Sequence, residues 1–268
     1  MESLVDFEVV EGVATLALND PGRMNPLGEA LVRACLQGLQ RVRDDPAIRV
    51  LVLAGRGRAF SAGADLPSLA APRPAGQASR GEEIAALLTD GGNRLVRELR
   101  ALPVPVLCAL QGAAAGGGVG LALAADIVVA ARSSYFYLPF IPALGIVPDM
   151  GSSWMLPRAA GRARALGLSL LGTRLSAEQA QQWGLVWACV DDDALPAEVA
   201  RLAAQLGELP PHAVQEARAL FAASEHNTLA QQMDYERDRQ RELIDGPSFE
   251  EGLQAFLHKR RPVFARRG

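Results

Sequence analysis

The chain has 268 residues, 49% of them hydrophobic and 21% charged, with a formal net charge of -3. That length and balance suit one large α/β domain, or a core domain with an appendage, and exclude a disordered chain. The near-neutral charge provides no global basic field for nucleic acid or an anionic membrane, so any ligand must find a local site. Cys35, Cys108 and Cys189 are odd in number, far apart and in no C-x-x-C spacing, which fits a reduced, cytoplasmic protein rather than a disulfide framework. His212, His226 and His258 share no i,i+4 pair, so no metal site is expected.

The opening MESLVDFEVVEG carries two acidic residues by position 6 and no apolar stretch of the signal-peptide kind, and it reads as strand. Leu4 to Val10 and Val13 to Leu18 alternate around Glu11-Gly12, a two-residue hairpin signal. A turn follows at Asn19 to Gly22. From Pro26 to Asp44 the apolar residues Leu27, Leu31, Cys35, Leu39 and Val42 mark one helical face. Val50 to Ala54, Val104 to Leu110 and Ile127 to Ala131 are continuous apolar runs of the kind that parallel strands show when both their faces are covered. Helices are expected between them, at about Glu82 to Leu102 and Gly117 to Ala125, which makes βαβ units. The stretch Pro67 to Gly81 has neither period and reads as a mobile loop, in which Ala70, Ala71 and Ala75 leave room for a substrate. The uncharged run Ala101 to Ala125 contains Pro103, Pro105 and a glycine cluster, so it reads as strand, turn and short helix rather than a membrane span. From about Ser176 the pattern turns helical, with a short strand at Leu185 to Val190 and helices from near Leu195, Pro211, Thr228 and Ser248. This divides the chain into a core of residues 1–195 and a helical part of residues 196–268.

Two segments carry the chemistry. Arg58 to Leu66 follows the strand Val50 to Ala54, and Gln111 to Gly120 follows the strand Val104 to Leu110, so both lie where parallel sheets bind their ligands. Ala62, Gly63 and Ala64 permit close approach to the main chain, and Asp65 reads as an N-cap. The second segment opens a helix whose first N–H groups lack partners. Together the segments offer two backbone donors to a carbonyl oxygen, although glycine clusters also occur where helices pack tightly on sheets. Neither a dinucleotide fingerprint nor a phosphate-binding Gly-Lys-Ser/Thr is present.

Three segments, FSAGADL, QGAAAGGGVGLALAAD and LGIVPDMGSSWMLPRAAG, followed by the tail AFLHKRRPVF, resemble the crotonase family of enoyl-CoA hydratases and isomerases, from about Phe7 to Phe264. The resemblance implies an α/β spiral of ββα repeats with a helical C-terminal region that builds homotrimers or dimers of trimers. It implies an acyl-CoA thioester as substrate, with coenzyme A part of that substrate and no further cofactor. The two donors to the thioester oxygen would be the amides of Ala64 and Gly117. Arg23, Met24 and Asn25, with Ala62, Asp65 and Leu66, would line the CoA path. Phe256 and Lys259 would reach a neighbouring subunit's CoA, where the plainer readings are helix packing and an exposed charge.

Within the family the acid/base residues decide the reaction. The two positions where hydratases of this kind carry glutamate are Gly120 and Ile141 here, the latter beside Phe140, so neither carboxylate is present. Asp149 stands where a branch of isomerases carries its acidic residue, and phenylacetate-pathway isomerases resemble this chain in Val-Pro-Asp followed by Gly and Ser. A single carboxylate suffices to shift a double bond, and apolar Val147, Met150 and Trp154 beside it would raise its pKa. Asp149 also suits a cap for a helix starting near Gly151. Isomerase is the favoured reading. A hydratase with atypical residues and a scaffold that keeps the CoA pocket without turnover are the alternatives. Asp126 reads as structural, and the stripe Val199, Leu202, Ala203 and Leu206 as surface for a neighbouring subunit.

Overall fold

The structure, a computed structural model, describes residues 3–70 and 78–267. The hairpin forms as its pattern predicts, from β1 (Val5–Val10) and β2 (Val13–Leu18). The helix that follows is α1 (Glu29–Asp44), which buries Leu31, Val32, Cys35, Leu39 and Val42 on one face. It starts three residues later than its apolar period, because Pro26 instead bridges to Gly63 and Leu27 donates to the Gly63 carbonyl.

Three strand pairs then repeat one device. β3 (Val50–Gly55) is followed by β4 (Ala59–Ser61), β5 (Val106–Leu110) by β6 (Ala113–Ala115), and β7 (Ile127–Ala131) by β8 (Tyr135–Tyr137). The first member of each pair joins a six-stranded sheet in the order β1-β2-β3-β5-β7-β10, closed by β10 (Ala188–Val190) and parallel from β2 onward. The second joins a four-stranded sheet in the order β4-β6-β8-β9, closed by the antiparallel β9 (Leu175–Ser176). Each turn of this spiral is completed by helix. α2 (Leu66–Ala70), α3 (Arg80–Leu87), a π-helical turn (Leu88–Gly92) and α4 (Asn93–Arg100) follow β4. α5 (Gly117–Leu123) follows β6, and α6 (Phe140–Leu144), α7 (Ser152–Ala160) and α8 (Arg162–Leu171) follow β8.

The stretch Pro67 to Gly81 departs from its reading as loop at both ends. Leu66–Ala70 is helical, and Ser79 caps α3 by a reciprocal capping box with Glu82. Ala71 and Ala75 lie outside the described residues.

The remaining helices are α9 (Ala177–Gln182), α10 (Leu195–Gly207), α11 (Ala213–Ser224), α12 (Leu229–Ile244) and α13 (Pro247–Leu257). The main core lies between the six-stranded sheet and α1, α4 and α5. A second apolar cluster forms on the sheet's other face, where Leu195, Val199, Leu202 and Ala203 of α10 cover Val50, Val52, Leu107 and Val129. The expectation that this stripe meets a neighbouring subunit is therefore corrected: the sheet of the same chain absorbs it. The three helices beyond it bury only Ala255.

Polar clasps hold α11 to α13 in place. Asp126 accepts from the Val106 amide at 2.7 Å and from both ends of the Arg218 guanidinium at 2.6 and 2.7 Å. Arg218 also donates to the carbonyls of Leu102 and Val104. Such charge-assisted bonds contribute about 1.5–3 kcal/mol each when partly buried. Asp126 thus has the structural role read from its position, and its partner 92 residues away is what the sequence did not disclose. Among the described residues, no helix is long and apolar enough to cross a membrane.

Candidate active site

A cavity of about 1100 Å³ opens between α1, the segment Ala64 to Leu69, α3 with the π-helical turn, and the step Asp149-Met150. Its wall includes Leu27, Val32, Ile84 and Leu87 beside the backbone of Ala64 and Gly117. Strand termini bring the last two together. The loop after β4 and the loop after β6 meet at Gly63 and Gly116, both with positive φ (83° and 52°). A Cβ on Gly63 would lie 2.6 Å from the Ala115 carbonyl oxygen, so only glycine permits this approach. Neither the Ala64 nor the Gly117 amide donates to any described residue. Two unspent N–H groups at the wall of one largely apolar cavity can take an oxygen on which negative charge develops.

Behind Ala64 stands a buried fastener. The Asn25 side chain is fully enclosed; its Oδ1 accepts from the Asp20 amide, and its Nδ2 donates to the carbonyls of Arg56, Ala59 and Phe60. Ser61 donates to the Asn25 carbonyl and accepts from the Gly63 amide, while the Ala62 amide donates to the Met24 carbonyl. Met24, Asn25 and Ala62 therefore hold the loop that carries the Ala64 amide and do not themselves line the cavity. Arg23 does line it, bridging Asp20 and Asp65 at 2.7 and 2.9 Å. Asp65 also accepts weakly from the Ser68 amide, at 3.4 Å, as the N-cap reading of that position predicts. Burial works against its charge, yet Ser68 and Arg23 hold its carboxyl below the ordinary range. Leu66 is exposed at the start of α2.

Asp149 lines the cavity beside Gly117, and a Cβ on that glycine would lie 3.5 Å from the carboxylate Oδ1. This oxygen is buried and without a hydrogen-bond partner among the described residues. Burial pushes the carboxyl from 3.8 up to about 6, its own amide opposing. The side chain does not cap α7. The Asp149 carbonyl does so instead, accepting from the Ser152 amide at 3.0 Å and hydroxyl at 2.7 Å. Of the three apolar neighbours expected to desolvate it, only Met150 is buried. Val147 is 76% exposed, and Trp154 lies under the guanidinium groups of Arg100 and Arg158.

Gly120 has no room for a side chain, because a Cβ there would lie 2.3 Å from the Met150 carbonyl oxygen. Ile141 is half-buried on α6 and does not line the cavity, and Phe140 packs in the core near Gly116. Phe256 is 82% exposed on α13, Lys259 follows with φ 52°, and neither borders this chain's cavity. Cys35 and Cys108 are buried free thiols, and Cys189 is a half-buried one.

The model of the enoyl-CoA hydratase/isomerase family matches residues 8–267. The chain is 44% identical to 1,2-epoxyphenylacetyl-CoA isomerase of Escherichia coli K12, over 98% of this chain and 99% of the relative. It is 34% identical, over 94% of each chain, to 2,3-dehydroadipyl-CoA hydratase of the same organism. Its fold superposes on the crystal structure of an enoyl-CoA hydratase from Polaromonas sp. JS666 with a TM-score of 0.89, at 34% identity and covering 97% and 99% of the two chains. Relatives of both reaction types thus match this chain over nearly its full length. With them, the chain belongs to the crotonase family and is an acyl-CoA hydratase/isomerase of that family.

Proposed function

We propose that the protein is an enoyl-CoA isomerase in which Asp149 moves the proton and the amides of Ala64 and Gly117 hold the thioester oxygen. The carrying observation is the buried, unpartnered Asp149 Oδ1 beside Gly117, with its carboxyl raised to about 6. The carboxylate takes a proton from the α carbon of a β,γ-unsaturated thioester. The C–H electron pair becomes part of a dienolate, whose oxygen accepts from the two amides. The same carboxyl returns the proton to the γ carbon, and the double bond ends between the α and β carbons. No net oxidation occurs, so the reaction needs nothing beyond the coenzyme A of its substrate. Hydration would require a second group to hold the attacking water, and Gly120, packed against the Met150 carbonyl, leaves no space for one. The similarity to an epoxyphenylacetyl-CoA isomerase adds ring-bearing acyl groups to the candidate substrates.

Supplying a 3-enoyl-CoA, crotonyl-CoA and a phenylacetyl-derived CoA, and resolving products by mass and retention, tests this reading. Conversion of the 3-enoyl or ring-bearing thioester is expected, with kcat/KM rising as pH passes through about 6, where the base ionises. Rapid formation of 3-hydroxyacyl-CoA from crotonyl-CoA would overturn it in favour of a hydratase.

The same reading includes assembly into trimers or dimers of trimers in the cytoplasm, through the helices of residues 196–268. Support comes from Phe221, Leu229, Met233, Phe249 and Phe256, all apolar and exposed on α11 to α13. Arg23 and Asp65 would then meet the CoA at the cavity mouth, and Phe256 and Lys259 a neighbour's CoA. Sedimentation is expected to give a trimer or hexamer, and a stable monomer at micromolar concentration would remove that role from Phe256 and Lys259.

A further inference from the structure

Met150 is an unusual residue to find beside a candidate base. It is buried, and its backbone is left-handed, with φ 48°. A residue with a Cβ keeps that conformation only where its surroundings over-determine it. Three glycines do so here. A Cβ on Gly120 would lie 2.3 Å from the Met150 carbonyl oxygen and 2.9 Å from its Cβ. One on Gly117 would lie 2.6 Å from the Met150 Sδ, and one on Gly92 would lie 3.3 Å from the Cγ. Two of these glycines come from α5 and one from the π-helical turn, so elements on two sides of the cavity leave a socket of the shape that Met150 fills. Its neighbour Asp149 is fixed from the other side by the Ser152 bonds to its carbonyl.

We infer that Met150 is a positioning residue for the isomerase: clamped by Gly92, Gly117 and Gly120, it fixes the Asp149 carboxyl beside the Gly117 amide and keeps water from it. The inference rests on the reading of Asp149 as the base. It also couples two features that look independent in sequence, because the main chain that presents the base at 149 occupies the space that a side chain at 120 would need. Arg23 and Asp65, which pair, Arg80 and Glu83 of α3, and Arg97 and Arg100 of α4 stand on the elements around the cavity, and burial rather than any of these charges displaces the Asp149 carboxyl. α5 has no ionisable residue; Glu29 and Arg33 of α1 pair with each other, Arg94 of α4 pairs with Glu98, and Arg158 of α7 pairs with Glu225. Asp90 is exposed in the π-helical turn, and the Asp149 carboxyl owes its displacement to burial.

The test is a series in the full-length chain, Met150→Leu, Met150→Ala and Met150→Gly, reading kcat, KM and the pH midpoint of kcat/KM. Met150→Leu, similar in volume, is expected to stay within about threefold of wild type. Met150→Ala and Met150→Gly are expected to lower kcat by roughly 10- to 100-fold, the scale set by small misplacements of a catalytic group, with KM within about twofold. In both, water reaching the carboxylate moves the midpoint down from about 6 toward 3.8. Unchanged kcat and midpoint in a folded Met150→Ala or Met150→Gly overturn the inference. A lower melting temperature with the midpoint unmoved overturns it as well, since that marks a packing residue only. If Asp149→Asn itself retains activity, the isomerase reading fails. If Asp149→Asn is inactive while the Met150 series behaves as wild type, only the positioning role fails.

Discussion

Replacing Asp149 by Asn is expected to lower isomerisation by at least about 100-fold, the lower end of general acid–base contributions, while making the folded chain more stable at neutral pH. Both effects have one cause. The carboxyl has no partner on its buried oxygen, so its charge is disfavoured, and its pKa rises to about 6. A carboxyl raised in this way is without penalty below about 4, where it is protonated in both the folded and unfolded chain. The penalty grows as pH rises from the unfolded value near 4 to the folded value near 6, and it is complete above that. Asn imitates the protonated acid at every pH. The variant should therefore gain on the order of 3 kcal/mol over wild type at pH 7 to 8, an advantage that fades between pH 6 and 4. Urea unfolding at pH 4, 6 and 8, with turnover measured alongside, reads both effects. A variant of wild-type stability at pH 8, or of undiminished turnover, contradicts the account. Acyl-CoA affinity should survive, because the thioester oxygen is held by backbone rather than by Asp149.

Ala64→Pro is expected to cost about 100- to 1,000-fold in kcat, the price of losing one preorganised donor at a developing oxyanion. Proline removes the N–H and nothing polar besides. Ala64→Gly keeps the donor and should cost little, so the pair separates the amide from the side chain. The change leaves the fasteners behind Ala64 in place, since the Asn25, Ser61 and Met24 bonds engage residues 59–63. A folded Ala64→Pro within a few fold of wild type would show that the oxyanion is held elsewhere.

The parts legible in sequence were those with a local physical signature. Val50 to Ala54 and Val104 to Leu110 announce buried strands because both faces are covered, and Ser176 announces its helix because its hydroxyl accepts the Gln179 amide three residues on. The glycine loops marked the two segments that meet for a similar reason, since close approach of two main chains leaves small residues behind, while the choice of the Ala64 and Gly117 amides within them came from the family resemblance. The smaller sheet was not legible. Its strands Ala59–Ser61, Ala113–Ala115, Tyr135–Tyr137 and Leu175–Ser176 are too short to show a period. Nor was the fate of Val199 and Leu202, because an apolar helical stripe looks the same whether it meets its own sheet or another chain. Asn25 was read as part of the CoA path from resemblance, and only the fold reveals that its amide is spent on three carbonyls from Arg56, Ala59 and Phe60. The socket around Met150 gathers Gly92, Gly117 and Gly120 from two elements, and no pattern along the chain marks that meeting.

The polar clasps on α11 to α13 have a consequence for how the chain's order depends on dilution. Three helices that bury a single residue among them gain little from their own chain, since most helical stability in proteins comes from packing an apolar face. Arg218 on Asp126, Arg158 on Glu225 and Arg267 on the carbonyls of Val42 and Asp45 fix where these helices lie, but they do not cover Phe221, Leu229 or Phe256. In the assembly proposed above, the neighbour that covers those side chains binds the ordered form and not the frayed one, so the order of this fifth of the molecule, about residues 211–267, follows mass action. The spiral, closed over its own two apolar clusters, has no such dependence. Under that proposal one polypeptide combines a concentration-independent core with a concentration-dependent rim, and salt, which weakens the clasps before it touches the core, acts first on the rim.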